Sequence, residues 1–377
     1  MILFFTFFVA IYGSMHVYAF FRTRGALGFG AGAGVALAAF FLAMTLAPIL
    51  IRAAERHGFE PAARVLAYVG YLWMAALFFF FSISLLFDLI GMITRFVGWS
   101  FNVDASSWLV TGKTSFLISI GLSLSLCIYG YFEAKDIRTE RLVIETSKLP
   151  AGMDRLTIVQ LSDLHLGLIN RCDRLALMLA AVRAAKPDML VVTGDLVDAQ
   201  INHLTGLADM FREITPAYGK FAIMGNHEYY AGTEKALEFI RDAGFTMLRD
   251  EAITSGPIIL VGVDDRTGVQ LKLRTAVPEQ TLFAGLAREK FTLLLKHQPN
   301  IDPFSLGLFD LQLSGHTHKG QLFPFTLLTR LSYPLNAGRY DLGKGSLLYV
   351  NRGTGTWGPP IRFLAPPEVT VVELVKK

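Results

Sequence analysis

Two hydrophobic patterns divide the chain. The first third contains four long apolar stretches, at about residues 1–21, 26–51, 66–93 and 114–132. Each is long enough to cross a bilayer as an α-helix, which needs about 20 residues. We therefore predict an all-α region of four transmembrane helices over residues 1–133.

The second pattern begins after a polar connector. Residues 134–150 are charged at first and then turn apolar, which predicts a connector followed by an edge strand. Short apolar runs then alternate with helical periodicity, at Leu156–Leu161, Arg174–Ala185 and Met189–Val192. This order predicts βαβ units with functional residues at the carboxyl ends of the strands. We expect residues 151–377 to form one α/β domain.

The same scheme repeats further along the chain. A helix is predicted near residues 205–214. The remaining short apolar runs, which are typical of buried strands, predict strands at Lys220–Met224, Ile258–Val263, Phe291–Leu295, Leu311–Leu313, Leu347–Val350 and Val369–Leu374.

Composition agrees with a membrane region followed by one soluble domain. The chain is 53% hydrophobic and only 18% charged, which is too apolar for a simple soluble enzyme. The second part, of roughly 200–250 residues, is long enough to bury a core. The formal charge of +4 comes without a long basic block, so nucleic-acid binding is not favoured. Cys127 and Cys172 are too few for a disulfide framework.

The distribution of basic residues predicts the orientation in the membrane. Loops on one side of the four predicted helices carry Arg22, Arg24, Arg95 and Lys113. Segments on the other side carry Arg52, Arg56, Arg64, Lys135, Arg138 and Arg141. The positive-inside rule places the second group, and with it the soluble domain, on the cytoplasmic side.

Five polar clusters stand where predicted strands end. They are Asp163-Leu164-His165, Gly194-Asp195, Gly225-Asn226-His227-Glu228, Lys296-His297-Gln298 and Gly315-His316-Thr317-His318. Histidine combined with Asp or Asn suits Mn, Fe, Zn or Co, whereas Ca and Mg prefer oxygen ligands alone. Glycines that precede three of the polar residues let the backbone turn sharply beside an ion.

These clusters read D-x-H, G-D, G-N-H-[D/E], H and G-H-x-H, in order from Asp163 to His318. In this the chain resembles the calcineurin-like metallophosphoesterase superfamily. The closing segment, Tyr349–Glu368, is similar to bacterial phosphodiesterases of the YkuE/YaeI type. The resemblance covers the soluble domain only. It implies a two-sheet α/β/β/α sandwich, here attached to a bacterial cell membrane.

The resemblance also implies two divalent metal ions, with Mn favoured among Mn, Fe, Zn and Co. The implied ligands are Asp163, His165 and His318 for one ion, Asn226, His297 and His316 for the other, and Asp195 between the two. His227 would not be a ligand. It would lie beside the phosphate as a catalytic residue, either as proton donor or as transition-state stabiliser.

Two further residues, Asp198 and Glu228, are candidate supports of this centre. Asp198 could orient a ligand or cap the following helix. Glu228 could hold an imidazole or be an ordinary polar turn residue. The residue pattern leaves both alternatives open.

Other polar residues near the clusters are weaker candidates. Surface loops are the preferred interpretation for Asn170, Arg171, His203 and Tyr229, and a strand-end turn for Asp264 and Asp265. Arg352 and Arg362 could each contact phosphate or pair with a carboxylate, and the sequence does not separate these possibilities.

We therefore expect a membrane-anchored, metal-dependent phosphoric ester hydrolase that cleaves a phosphodiester or a phosphomonoester by metal-activated hydroxide. Its expected partners are the lipid bilayer and a phosphoester, and a lipid-linked substrate is attractive because confinement raises effective concentration. One candidate is a UDP-diacylglucosamine pyrophosphatase-like activity. The alternative is a membrane receptor or scaffold whose phosphoesterase domain is regulatory or vestigial. The sequence leaves the oligomeric state open.

Overall fold

The computed structural model describes residues 2–198, 204 and 206–377. The chain divides into two compact units. One comprises residues 1–131 together with 358–361, and the other comprises residues 132–357 together with 362–377.

The first unit is built from long helices. They are α1 (Ile2–Leu27), α2 (Ala31–Arg56), α3 (Glu60–Phe101) and α4 (Gly112–Glu133). Within the described residues, the segments long and apolar enough to span a membrane are Ala31–Arg56, Glu60–Phe101 and Ser106–Glu133. Among these residues the predicted number of four spans is therefore corrected to three, and the first predicted span, at about residues 1–21, falls within α1.

Several polar groups inside this unit are paired with one another. Arg22 Nη1 donates to Asp88 Oδ1 at 2.9 Å, and the Tyr18 hydroxyl donates to Asp88 Oδ2 at 2.6 Å. Trp73 Nε1 donates to His16 Nε2 at 2.9 Å. These bonds join α1 to α3 and satisfy groups that would be costly to leave unpaired among apolar helices.

The second unit contains two six-stranded sheets. In spatial order the first sheet consists of β1 (Arg138–Thr146), β12 (Glu368–Lys376), β2 (Arg155–Leu161), β3 (Met189–Val192), β4 (Lys220–Ile223) and β5 (Thr246–Leu248). The second consists of β10 (Gly338–Gly343), β11 (Ser346–Val350), β9 (Leu311–Ser314), β8 (Phe291–Lys296), β7 (Ile258–Val263) and β6 (Glu251–Ser255).

Helices of this unit connect the strands. They are α5 (Cys172–Ala185), α6 (Leu207–Arg212), α7 (Asn226–Ala231), α8 (Thr233–Asp242), α9 (Thr267–Gln270) and α10 (Phe325–Ser332). Leu175 of α5, Phe211 of α6 and Phe239 of α8 pack against the outer face of the first sheet. The outer face of the second sheet is covered by the 3₁₀ turn Glu279–Phe283 and its flanking loops. The fold is therefore a two-sheet α/β sandwich, as expected, with a thin fourth layer.

The main core lies between the sheets. Leu156 and Ile158 of β2 face the second sheet, whereas Val159 and Leu161 face the helices. Both faces of the central strands are covered, which explains why β3 is apolar and buried at every position.

Strand direction brings the polar clusters together. Strands β2 to β5 are parallel, and so are β7, β8, β9 and β11. The carboxyl ends of each parallel set therefore share one edge, and the five polar clusters follow β2, β3, β4, β8 and β9.

Candidate metal centre

Loops from both sheets converge in a first group of donors. Asp163 and His165 follow β2, and His318 follows β9. One ligand atom from each of the three lies within 4.8 Å of the others. His165 Nε2 lies 3.0 Å from His318 Nε2, and His318 Nε2 lies 3.4 Å from Asp163 Oδ1. All three side chains are buried.

A second group of donors lies beside the first. Ligand atoms of Asp195, His297 and His316 lie within 4.8 Å of one another. His297 Nε2 is 3.2 Å from Asp195 Oδ2, 3.1 Å from His316 Nδ1 and 3.1 Å from Asn226 Oδ1. Asp195 Oδ2 is also 3.8 Å from His165 Nε2, so this carboxylate faces both groups.

The donor chemistry fits divalent cations. Asp163 and Asp195 are buried carboxylates, and among the described residues their ion-pair partners are histidines rather than Lys or Arg. Burying two carboxylates near each other is costly unless positive charge compensates them. Borderline divalent cations prefer this mixture of imidazole and carboxylate.

Hydrogen bonds on two of the rings leave the other nitrogen facing the groups. His297 Nδ1 lies 2.8 Å from the carbonyl oxygen of Thr193, and His316 Nε2 lies 3.0 Å from the Tyr333 hydroxyl. Burial lowers the pKa of His165 to about 3, and burial with the charge of His297 lowers the pKa of His316 to about 4. Both shifts favour the neutral ring, which is the form that binds metal. His297 differs, because burial lowers its pKa but the charge of Asp195 outweighs burial and raises it.

Backbone conformation holds these donors in strained positions. Positive φ values occur at Asp163, His165, Asp195, His316 and His318, between 47° and 71°. Such conformations are uncommon for residues other than glycine, and they persist only where the surrounding structure enforces them. The donors are therefore held in place by the fold, as a functional site requires.

Two glycines in the motifs are required by close approach. A Cβ at Gly225 would overlap the carboxylate of Asp195, and a Cβ at Gly315 would overlap the side chains of Ser162 and Asp163. Any larger residue would displace a carboxylate of the centre.

His227 lies beside both groups, and its ring is held by Asp198. His227 Nδ1 is 2.9 Å from Asp198 Oδ1, and the His227 amide donates to Asp195 Oδ1 at 2.8 Å. Burial lowers the pKa of His227, but the charges of Asp195 and Asp198 outweigh burial and raise it to about 9. Ligand atoms of His165, Asp195 and His227 also lie within 4.8 Å, so distance alone does not separate a ligand from a proton donor here.

Glu228 takes neither of the roles considered for it. Its carboxylate accepts the backbone amides of Gly225 at 2.7 Å, Asp195 at 2.9 Å and Val197 at 3.2 Å. Burial and the charge of Asp195 raise its pKa to about 7. Glu228 therefore ties together the loops after β3 and β4, which carry donors of the second group.

A chain of hydrogen bonds lies behind His316 and was not predicted from the sequence. The Tyr333 hydroxyl donates to Gln298 Oε1 at 3.0 Å, and Gln298 Nε2 donates to Asp265 Oδ2 at 2.9 Å. The strand-end turn expected at Asp265 is thus linked to the centre. Tyr333 lies outside every motif. The one sign of this hydrogen-bond chain in the sequence is that Gln298 directly follows His297.

The two arginines have different structural roles. Arg352 pairs with Glu140 at 2.5 Å and with Glu368 at 2.5 Å, which corresponds to the carboxylate alternative. Arg362 is fully buried, and its Nη2 lies 3.1 Å from His318 Nδ1. Its other bonds go to backbone carbonyl groups. Arg362 therefore supports the loop of His318 from behind.

The residues that we expected in surface loops are only partly found there. Asn170 and Tyr229 are buried rather than on the surface. Asn170 Nδ2 donates to carbonyl groups of the loop after β2, and the Tyr229 hydroxyl donates to Asp264 Oδ1 at 2.7 Å. Arg171 is half-buried just before α5, and His203 lies outside the described residues.

Known proteins are similar to this part of the chain. The calcineurin-like phosphoesterase family matches residues 156–320. An uncharacterized metallophosphoesterase of Aquifex aeolicus is 40% identical over 259 residues, which cover 68% of this chain and 98% of that protein. The chain belongs to the calcineurin-like metallophosphoesterase family. The metallophosphoesterase domain therefore identifies a phosphoric ester hydrolase that uses divalent metal ions.

Two further relatives differ in what accompanies this domain. The uncharacterized metallophosphoesterase YkuE of Bacillus subtilis is 33% identical over 257 residues, covering 65% of this chain and 87% of that protein. A transmembrane protein with metallophosphoesterase domain of Danio rerio is 31% identical over 271 residues, covering 68% of this chain and 62% of that protein. The name of the Danio rerio relative thus combines a transmembrane protein with a metallophosphoesterase domain.

Proposed function

We propose that the protein is a membrane-anchored hydrolase of phosphodiesters or phosphomonoesters, with two divalent ions at the centre described above. The observation that carries the proposal is the placement of Asp195 between two donor groups. A shared carboxylate offsets the repulsion between two neighbouring dications. Divalent ions held there supply Lewis-acid chemistry and a nucleophile at neutral pH.

The proposed ligand sets follow the two donor groups. They are Asp163, His165 and His318 for one ion and Asn226, His297 and His316 for the other, with Asp195 shared. The distances of 3.0–3.4 Å between donor atoms of neighbouring residues support this assignment. Manganese is our first choice because the set mixes imidazole nitrogen with oxygen.

His227 is the proposed proton donor to the leaving group. Its contact with the carboxylate of Asp198 leaves Nε2 as the nitrogen available to a substrate. The carboxylate stabilises the protonated ring, which can then deliver its proton to the departing oxygen. Asp198 acts as a positioning residue through His227.

The membrane region supports a substrate at the bilayer surface. In the part of the chain that the structure describes, three segments are long and apolar enough to span a membrane. A catalytic domain tethered in this way meets lipid phosphoesters at high effective concentration. We therefore propose a lipid-linked phosphoester on the cytoplasmic side, either a pyrophosphate such as UDP-diacylglucosamine or the phosphodiester of a phospholipid headgroup.

The proposal is tested with full-length protein in detergent. Hydrolysis of bis-p-nitrophenyl phosphate, of phosphomonoesters and of lipid phosphoesters is measured with added Mn²⁺ and after chelation. We expect metal-dependent turnover that His227→Ala lowers by about 10²–10⁴-fold. Absence of metal-dependent turnover on any of these esters would favour a receptor or scaffold with a vestigial domain.

A further inference from the structure

The polar side of helix α10 faces the domain, and its apolar side faces outward. Thr326 is buried, and its hydroxyl donates to the carbonyl oxygen of Lys319 at 2.8 Å. Leu327, Leu328 and Leu331 are exposed on the other side, and Leu331 is 80% accessible. A surface helix in water normally buries its apolar side. The orientation of α10 is the opposite.

The exposed apolar surface continues beyond this helix. The Phe323 amide donates to the carbonyl oxygen of Phe363 at 3.1 Å, so the segment before α10 lies beside the segment around Leu364. Together these segments form an outward surface that we name the apolar face: Phe323, Phe325, Leu327, Leu328, Leu331 and Leu364. Contiguous exposed apolar side chains of this kind mark an interaction site.

We propose that the apolar face docks onto an anionic lipid bilayer. The first argument is continuity with the membrane-spanning chain. The Leu364 amide donates to Glu133 Oε2 at 3.1 Å, and Glu133 is the last residue of α4. One end of the apolar face therefore lies where a predicted membrane span ends, at the depth of the lipid headgroups.

The second argument is charge. Lys319, in the turn before α10, and Arg330 of α10 line a cavity of about 350 Å³. The carboxylates of Glu140 and Glu368 in this cavity are paired with Arg352. Within the described part of the chain, neither Lys319 nor Arg330 has a carboxylate at ion-pair distance. Basic side chains beside an apolar helix surface are the combination that binds anionic membranes.

Docking places the metal centre at the headgroup layer. Tyr333 directly follows α10 and hydrogen-bonds His316, while Lys319 directly follows His318. The segment that carries α10 is therefore connected to the centre at both ends, by the chain at His318 and by the hydrogen bond of Tyr333 to His316. This surface goes beyond the proposed function, because bilayer contact can be measured whether or not an ester is cleaved.

The experiment uses the full chain, with Cys127→Ser and Cys172→Ser, at one copy per lipid nanodisc containing anionic and zwitterionic lipid. A fluorophore is attached at Leu328→Cys, and its quenching by lipids that carry a nitroxide in the acyl chain is measured. The matched control is Leu177→Cys, since Leu177 is a similarly exposed leucine on α5. We expect strong quenching at position 328, little at position 177, and a loss at position 328 when Leu331→Asp is added.

Charge is tested in the same system. Arg330→Gln, or replacement of anionic lipid by phosphatidylcholine, should lower the docked population about fivefold. Equal quenching at positions 328 and 177 would overturn the docking surface. A blue-shifted fluorophore without quenching would show that protein, not lipid, covers it. Unchanged quenching in purely zwitterionic nanodiscs would overturn the assignment to anionic lipid. Hydrolysis of soluble bis-p-nitrophenyl phosphate should be unaffected by Leu331→Asp, which separates this test from that of the proposed function.

Discussion

The contact between Asp198 and His227 allows a direct test of the proposed proton donor. Asp198→Asn keeps the size of the side chain and an acceptor oxygen, but it removes the negative charge 2.9 Å from His227 Nδ1. We expect kcat to fall while KM and metal content stay unchanged. The reason is that the protonated ring loses its stabilising charge, whereas neither donor group includes Asp198.

The size of the effect follows from the geometry. A hydrogen bond to a charged group contributes about 1.5–3 kcal/mol. The Asp198 side chain is 34% exposed, so solvent screens part of this energy. A remaining contribution of about 1–2 kcal/mol corresponds to a fall in kcat of about 5- to 30-fold.

The assay compares two phosphodiesters, one with a p-nitrophenol leaving group and one with an alkanol. The loss should be larger for the alkyl ester, because a poorer leaving group depends more on protonation. Metal content is measured in parallel. The control is Asp209→Asn, a 68% exposed residue that pairs with Arg212, and it should change nothing.

A double-mutant cycle decides whether Asp198 acts through His227. In a His227→Ala background, Asp198→Asn should have no further effect on kcat. If the same loss remains in that background, or if Asp198→Asn removes metal, the assignment of Asp198 as a positioning residue for His227 is wrong.

Three further predictions concern the centre and its supports. Gly315→Ala should destabilise the domain by about 1–3 kcal/mol and reduce metal binding, because the new Cβ overlaps Ser162 and Asp163. Thermal unfolding with and without Mn²⁺ measures both effects. An unchanged Tm would contradict the packing argument. Tyr333→Phe should weaken binding of one metal ion about 10–100-fold by removing the bond to a ligand ring. Calorimetric titration tests this, with Tyr340→Phe as the control that loses bonds to the backbone of Ala337. Chelation should lower Tm, since ions at about 100 times their Kd stabilise the folded state by about 2.7 kcal/mol; equal Tm values with and without EDTA would show that the site is empty under those conditions.

Secondary structure was predictable where the hydrophobic pattern was strong. Met189–Val192 was expected at the residues where β3 is found, because an apolar β-branched run between two covered faces has few alternatives. β5, β6 and β10 were missed. Nearly all their residues are half-buried or exposed, and their apolar pattern is weak. Whether such a segment forms a strand depends on pairing with neighbouring strands rather than on its local sequence preference.

The supports of the centre were less predictable than its donors. Donor types at strand ends are visible because parallel strands place their carboxyl ends on one edge. The functions of Glu228, Tyr333 and Arg362 are not visible in this way. Each depends on a partner from another loop, and no spacing rule in the chain specifies which backbone amide, ring nitrogen or carbonyl group will lie opposite.

The sequence by itself indicated the candidate metal donors and that they follow strands, since donor type and strand pattern are local properties. Tertiary structure alone decided how they group. His165 and His318 are 153 residues apart, and their ring nitrogens come within 3.0 Å only because two sheets pack face to face with their polar edges aligned. Packing also left the apolar side of α10 outward, since the backbone of Thr326 lies close to Gly320 and the Thr326 side chain is the one that is buried.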